Sequence, residues 1–168
     1  MKKRLVGVVM GSDSDWKIMQ EAAKVLEDFQ ITYEVNIISA HRTPQKVQEY
    51  ALSAEKRGLE VIIAAAGGAA HLAGVIASYT SLPIIGVPMP TALAGGLDSL
   101  LSMVQMPSGV PVGCVAVGET GAKNSAILSA QILGIKYPEI RRKVKIFKER
   151  IAQENMLKNK KLKEEIKC

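Results

Sequence analysis

The feature that most restricts the fold of this chain is a regular alternation of short apolar runs with stretches of helical periodicity. Apolar runs of strand length occupy residues 5–10, 32–38, 61–66, 83–87 and 110–117. Helical patterns follow them, one capped within residues 12–15 and ending at residue 29, then residues 44–57, 72–79, 98–106, 122–133 and 138–155. Strands that alternate with helices in this way predict a parallel sheet covered by helices on both faces.

Five parallel strands of this kind fit the order 2-1-3-4-5. The predicted fold class is therefore α/β, a three-layer flavodoxin-like arrangement with an extra C-terminal helix. Gly58 and Gly134 follow helical stretches and are predicted to end them, and Asp98 is predicted to cap the helix that it precedes.

The positive charge of the chain is confined to its C-terminal end. The formal net charge is +6, and residues 139–168 carry 11 of the 22 Lys and Arg but only five of the 16 Asp and Glu. Apolar residues recur there at helical spacing, at Ile140, Val144, Phe147 and Ile151, so one face is predicted to pack while the charges stay solvated. We predict a single domain, residues 1–155, and a basic tail, residues 156–168, that frays and binds no nucleic acid.

Metal, disulfide and membrane signals are lacking in the sequence. Cys114 and Cys168 are too few for a disulfide scaffold, and the two histidines and two cysteines lack zinc-ligand spacing. No apolar run approaches the roughly 18 residues that span a bilayer, and the first residues do not resemble a signal peptide. We expect a cytoplasmic protein with no protein-built metal site and no membrane partner.

Three polar or glycine-rich turns follow the first three predicted strands, at residues 11–15, 39–42 and 66–72. In a sheet of order 2-1-3-4-5, ligands bind outside the carboxyl ends of the strands, at the switch point between strands 1 and 3. The sequence therefore predicts that all three turns meet at one crevice.

The second turn places a proton-transfer group beside an anion-binding group. The imidazole of His41 can both accept and donate a proton near neutral pH. Arg42 lies just before Pro44, the predicted first helical residue, where backbone donors favour an anion. The alternative interpretation is a surface loop that happens to be polar.

The first and third turns supply further candidates, each with a structural alternative. Ser12 and Ser14 offer hydroxyls at a helix N-terminus, and Asp15 either accepts hydrogen bonds from a ribose diol or caps the helix. The Gly67-Gly68-Ala69-Ala70 segment either presents bare backbone N–H groups to a ligand or permits close helix–sheet packing. His71 is either a second site group or a histidine that serves a helix terminus.

Several common chemistries lack their sequence signals. Neither G-x-x-x-x-G-K-[ST] nor G-x-G-x-x-G occurs, which disfavours ATP and dinucleotides. No serine or cysteine lies in a nucleophile elbow, and no carboxylate cluster suits magnesium-dependent phosphoryl transfer. The remaining class of chemistry is acid–base catalysis on a phosphorylated small molecule, without metal or cofactor.

Five motifs together carry a resemblance to a known family. They are GSDSDW (residues 11–16), SAHRTP (39–44), AGGAAHLAG (66–74), GVPM (86–89) and DSLLSMVQMPSGVPVG (98–113). On these motifs, about residues 5–135 resemble the 5-(carboxyamino)imidazole ribonucleotide mutases of purine biosynthesis. The resemblance implies a homo-octamer without metal or organic cofactor. It also implies the reaction, in which a carboxylate moves from the exocyclic N5 nitrogen of a ribonucleotide to ring carbon C4.

The resemblance assigns roles to individual positions. His41 matches the histidine that protonates the departing nitrogen and removes the C4 proton. Positions that match substrate-binding residues, with phosphate and ribose as targets, are Ser12, Asp15 and Arg42. Positions that match the remaining walls of the site are Ser39, Gly67, Gly68, Ala69, Ala70, His71 and Leu72. One position departs from the family, because Ala73 stands where the HLPG motif has proline; the change removes a fixed φ but no functional group.

Two alternatives stay open at the level of sequence. The other branch of the family carboxylates aminoimidazole ribonucleotide directly with CO2, and substrate competition with bicarbonate varied separates the two activities. A ribonucleotide-sensing domain that signals through the basic tail is a non-catalytic alternative. Removal of residues 156–168 would leave the activity of an enzyme intact.

Overall fold

The alternating sheet and helices are present in a computed structural model that describes residues 3–166. The strands are β1 (Val6–Met10), β2 (Tyr33–Ile37), β3 (Val61–Ala66), β4 (Ile84–Pro88) and β5 (Gly113–Cys114). The helices are α1 (Trp16–Asp28), α2 (Pro44–Arg57), α3 (Leu72–Ala77), α4 (Leu97–Val104), α5 (Glu119–Lys136) and α6 (Pro138–Glu165). The predictions that concern Cys168 lie outside the described residues.

All five strands are parallel and lie in the order β2-β1-β3-β4-β5, which confirms the predicted topology. One aliphatic core lies between the sheet and α1, α5 and α6, and includes Val8 and Ile63. A second core lies on the other face under α2 and α3, and includes Val9 and Ile62. Strands β1 and β3 are buried on both faces, which is why their sequences are continuously apolar. The three-layer flavodoxin-like class with an added C-terminal helix is therefore confirmed.

Gly134 does not end a helix, in contrast to the prediction. Helix α5 continues through it to Lys136 and ends before Pro138, whose ring disfavours helical backbone in the preceding residue. A Cβ on Gly134 would lie 3.2 Å from Cα of Arg141, and the Arg141 Nε donates to the Gly134 carbonyl at 2.6 Å. The glycine therefore permits the close crossing of α5 and α6.

Two boundaries near the last strand also differ from prediction. The predicted strand over residues 110–117 is reduced to Gly113–Cys114 at the sheet edge. Pro111 has no N–H for the ladder on its N-terminal side, and beyond Cys114 the backbone keeps isolated bonds to β4, such as Val115 N–H to the Gly86 carbonyl at 3.1 Å. Asp98 lies in the first turn of α4 rather than at its cap, a position taken by Gly96 at φ 108°. The second difference depends on a tertiary contact that local patterns do not record, since a Cβ on Gly96 would lie 2.9 Å from the Met89 carbonyl oxygen.

Helix α6 packs through its first turns only. Ile140 and Val144 are buried, and the Phe147 ring meets Phe29 edge to face with centroids 5.5 Å apart. Ile151, predicted to pack, is 45% exposed, and the helix continues to Glu165 beyond the residue where fraying was expected. Among residues 3–166, none of the helices combines the length and the apolar character needed to cross a bilayer.

Candidate active site

The three turns after β1, β2 and β3 meet at one cavity of about 470 Å³ at the carboxyl ends of these strands. Ten of the predicted site residues line it, namely Ser12, Ser14, Asp15, Ser39, His41, Arg42, Gly67, Ala69, His71 and Leu72. Gly11, Ala40 and Ala66 complete the lining. The switch-point prediction from strand order therefore located the cavity.

Arg42 joins the second turn to the first. Its Nη2 donates to the Gly11 carbonyl at 2.7 Å, and its backbone N–H donates to Ser39 Oγ at 3.2 Å. A longer contact of 3.4 Å runs from Arg42 Nε to the same hydroxyl. A guanidinium has five N–H donors, so a group held by these contacts keeps others for an anion in the cavity.

Hydroxyls and carboxylates of the first turn form a short network at the start of α1. Ser12 caps a 3-10 turn over Asp13–Asp15, and its Oγ accepts from the Ser14 N–H at 3.3 Å. The Ser14 hydroxyl donates to Ser12 Oγ at 2.9 Å and lies 3.4 Å from Asp15 Oδ1. The network points polar oxygens at the cavity from the end of β1.

Burial raises the pKa of the Asp15 carboxyl above its ordinary value of 3.8. Hydrogen bonds from the neighbouring serines and the charge of Arg42 act in the opposite direction, but their effect is smaller. The half-buried carboxylate is therefore maintained at a cost in stability, as is common for groups that serve a ligand.

Replacing Asp15 by asparagine is expected to raise the melting temperature at pH 7 and to leave it unchanged below about pH 3.8. The native pKa is raised, so the unfolded chain ionises first as pH increases, and the wild-type protein loses stability through that range. Above the native pKa this loss is complete, and asparagine avoids it. Thermal melts across pH check this, with exposed Glu139→Gln in the first turn of α6 as the control for one negative charge lost at a helix start. A lower melting temperature for Asp15→Asn at pH 7 would contradict it.

His41 and His71 form a pair across the cavity. His41 Nε2 lies 2.9 Å from His71 Nδ1, and the rings meet edge to face at 79° with centroids 5.0 Å apart. One of these two nitrogens must present a lone pair while the other carries the proton. The contact therefore couples the protonation of the two rings, and it makes His71 a hydrogen-bond partner of His41.

Hydrogen bonds and close packing occupy part of the third turn, as in the second of its two predicted interpretations. The Gly68 N–H donates to Ser99 Oγ at 2.9 Å, and the amides of Ala70 and His71 donate to carbonyls two residues earlier, each at 2.8 Å. Gly68 and Ala70 accordingly lie outside the cavity lining, and Ala70 is 1% exposed. At Gly67 a Cβ would lie 3.3 Å from the Cβ of Met89, so close packing against the segment after β4 explains that glycine.

Sequence reasoning missed the residues behind the third turn. Ser99 is fully buried and Ser102 partly buried; both lie in the predicted helix over residues 98–106, for which no site residue was predicted. Ser102 Oγ lies 3.2 Å from the Gly68 carbonyl. Two serines spaced i, i+3 on the inward face of an apolar helix are the signal that would have identified them.

Comparisons with known proteins show the family of this chain and agree with its fold. Residues 5–154 match the family model described as AIR carboxylase. The chain is 60% identical to N5-carboxyaminoimidazole ribonucleotide mutase of Thermotoga maritima over 157 residues, 94% of this chain and 91% of that protein. It is 61% identical to the mutase of Pyrococcus abyssi over 144 residues, 86% and 82% of the two chains. The crystal structure of Treponema denticola PurE superposes with a TM-score of 0.84 at 32% identity, covering 95% of this chain and 98% of that one. The chain belongs to the AIR carboxylase family.

Proposed function

We propose that this chain is an N5-carboxyaminoimidazole ribonucleotide mutase of purine biosynthesis. The curated relatives of that name, 60% and 61% identical, support the activity. The observation that carries the proposal is the position of His41 and Arg42 in one cavity with the turns after β1 and β3. Because a charged ribonucleotide does not cross membranes unaided, we place the enzyme in the cytoplasm with its substrate.

The proposed chemistry is a closed proton cycle at His41. Protonated His41 donates to N5 as the N5–carboxylate bond breaks, the bonding electron pair stays on nitrogen, and CO2 is released inside the cavity. C4 then attacks the trapped CO2 to form the new carbon–carbon bond. Neutral His41 removes the C4 proton, the ring regains its aromatic electrons, and the histidine is again protonated. The cycle consumes no proton and needs no metal or organic cofactor.

His71 completes the proposed acid–base group. Its Nδ1 lies 2.9 Å from His41 Nε2, so it presents either a lone pair or a proton to the catalytic ring. A hydrogen-bond partner of this kind sets the tautomer and the orientation of a catalytic imidazole. We assign His71 to that role and His41 to the transfer itself.

The other polar groups are proposed to hold the nucleotide. Arg42, with Ser39 and Ser12 beside it, suits the phosphate because charge-assisted bonds from a guanidinium to phosphate are strong. Asp15 suits the ribose diol, since an ionised carboxylate accepts two hydrogen bonds. The apolar wall at Leu72 suits the flat imidazole ring.

The activity is tested with purified protein, the N5-carboxylated ribonucleotide, a chelator, and neither ATP nor added metal. We expect the C4-carboxylated product, followed by its absorbance and by NMR of the ring carbon. Absence of that product would overturn the proposal. Because the N5 substrate decays spontaneously, a reaction without protein is the reference rate.

Substrate preference distinguishes the mutase from the direct carboxylase of the same family. The mutase uses the N5-carboxylated substrate at a rate that bicarbonate does not change. A direct carboxylase would instead use aminoimidazole ribonucleotide, with a rate that rises with dissolved CO2. The mutase names of the relatives at 60% and 61% identity support the first outcome.

We further propose that the chain assembles as a homo-octamer. Helix α4 and the turn before it expose four large apolar side chains on one surface. They are Leu93 (62% exposed), Leu97 (45%), Leu101 (48%) and Val104 (48%). A contiguous apolar surface of this kind is typical of a protein–protein contact, and in homo-oligomers the same patch meets its own copy.

Leu101→Glu is expected to lower the oligomeric state, because each contact would then bury an unpaired carboxylate at a cost of several kcal/mol. Sedimentation velocity or light scattering measures the mass directly. Leu52→Glu, at a 57% exposed leucine on α2, is the matched control and is expected to leave the mass unchanged. An unchanged octamer in Leu101→Glu would exclude the α4 surface from the assembly.

A further inference from the structure

A serine clamp on α4 holds the third turn of the cavity from behind. Gly68 adopts a φ of 67°, and its N–H donates to Ser99 Oγ at 2.9 Å. Its carbonyl lies 3.2 Å from Ser102 Oγ, whose hydroxyl makes a shorter bond of 2.7 Å to the Asp98 carbonyl. Both polar groups of Gly68 are therefore engaged by one face of α4, with Ser99 making the stronger contact.

Ser99 is itself held in place. Its backbone N–H donates to Asp98 Oδ1 at 2.9 Å, and the same oxygen accepts the Thr91 hydroxyl at 2.5 Å. The Ser99 side chain is fully buried, so bulk water does not compete with the Gly68 amide for the Ser99 hydroxyl oxygen. A rigid acceptor behind a left-handed residue fixes the direction of the chain on either side of it.

The residues on either side of Gly68 are the ones that reach the cavity. Gly67 and Ala69 line it directly, and His71, two residues further on, contacts His41 at 2.9 Å. The turn is otherwise braced by short bonds within itself, from Ala70 to the Gly68 carbonyl and from His71 to the Ala69 carbonyl. A shift of Gly68 would therefore move His71 relative to His41.

We propose that Ser99, supported by Ser102, is a positioning residue for the reaction, acting through the Gly68 turn to set the His41–His71 contact. Neither serine touches the cavity, so neither binds substrate. The expected effect on kcat rests on the proposed function. The expected effect on the position of the Gly68 turn rests on the hydrogen bonds alone.

The other buried serines provide matched controls. Ser125 and Ser129 on α5 are also fully buried, but their hydroxyls donate to carbonyls within their own helix. Removing the Ser129 hydroxyl deletes one buried hydrogen bond without touching the site. Removing the Ser99 hydroxyl deletes one buried hydrogen bond and leaves the amide of the site turn without its acceptor.

The experiment compares Ser99→Ala, Ser102→Ala and Ser129→Ala in the full chain, per amount of folded protein. We expect kcat to fall by about 10- to 100-fold in Ser99→Ala, with a smaller change in KM, because misplacement of catalytic groups by about 1 Å costs up to about 100-fold. Ser102→Ala is expected to lose less, and Ser129→Ala is expected to keep the wild-type kcat. Wild-type kcat in Ser99→Ala would overturn the inference, as would an equal loss in Ser129→Ala.

Amide hydrogen exchange measured by NMR tests the clamp without reference to turnover. Protection of the Gly68 amide is expected to fall in Ser99→Ala and to be unchanged in Ser129→Ala; unchanged protection in Ser99→Ala would overturn the clamp. If the wild-type chain lacks mutase activity, the proposed function fails while this measurement still decides the structural claim. Should Ser99→Ala not fold, Ser99→Cys keeps the side-chain size with a weaker acceptor, and we expect an intermediate loss of kcat and of protection. Wild-type values of both in Ser99→Cys would then count against the inference.

Discussion

Replacing His41 by asparagine is expected to lower kcat by about 10²- to 10⁴-fold, the range that a positioned acid–base group contributes. Asparagine keeps a polar side chain of similar reach but cannot exchange a proton with N5 or C4. The substrate contacts assigned to Arg42 and Asp15 do not involve the imidazole, so KM is expected to stay within a few-fold of wild type. The variant should therefore bind substrate and fail to convert it.

Steady-state kinetics and calorimetric titration with the product measure the two quantities separately. His71→Asn is the informative companion variant, because it removes the partner 2.9 Å away while leaving the imidazole of His41 in place. We expect a smaller kcat loss there than in His41→Asn. Wild-type turnover in His41→Asn, together with a large loss in His71→Asn, would move the proton transfer to His71.

Local signals in the sequence were sufficient where a boundary depends on one residue. Helix α2 begins and ends at the predicted residues, because Pro44 suits a first helical position and Gly58, at φ 95°, suits a helix end. Strand β3 also has its predicted bounds. Gly134 shows the limit of the same rule. A glycine is needed there because the backbone of α6 crosses beside it, and no local pattern contains that contact.

The sequence predicted the location of the candidate site better than the hydrogen bonds within it. Strand order brings the three turns together, and most of the predicted residues line the cavity. The His41–His71 contact joins residues 30 positions apart, and the Ser99–Gly68 bond joins residues 31 apart. Such pairs depend on how α4 and the turns settle against the sheet, which the spacing of residue types along a chain does not determine. The Gly68 N–H could be read as free for the same reason, since its acceptor, Ser99, lies on a helix distant in the sequence.

Arg42→Met is expected to weaken ribonucleotide binding by about 10- to 100-fold, equivalent to the roughly 1.5–3 kcal/mol of hydrogen bonds to a charged group. Arg42→Lys keeps the charge but not the planar fork, and it cannot reproduce the 2.7 Å bond to the Gly11 carbonyl together with a second contact. We expect lysine to recover only part of the lost affinity. KM and calorimetric Kd measure the effect, and Lys46→Met, which removes an exposed cation near the start of α2, is the control with expected wild-type affinity.

The phosphate assignment of Arg42 has a sharper test in the substrate lacking its phosphate. If Arg42 holds the phosphate, the wild-type protein loses affinity for this riboside, and Arg42→Met loses little more, because the two changes remove the same interaction. If Arg42 instead acts only by tying the second turn to Gly11, the losses add, and Arg42→Met binds riboside and ribonucleotide with the same relative defect. The cycle of two proteins and two ligands thus separates a contact with the nucleotide from a contact within the fold, which a single variant does not do.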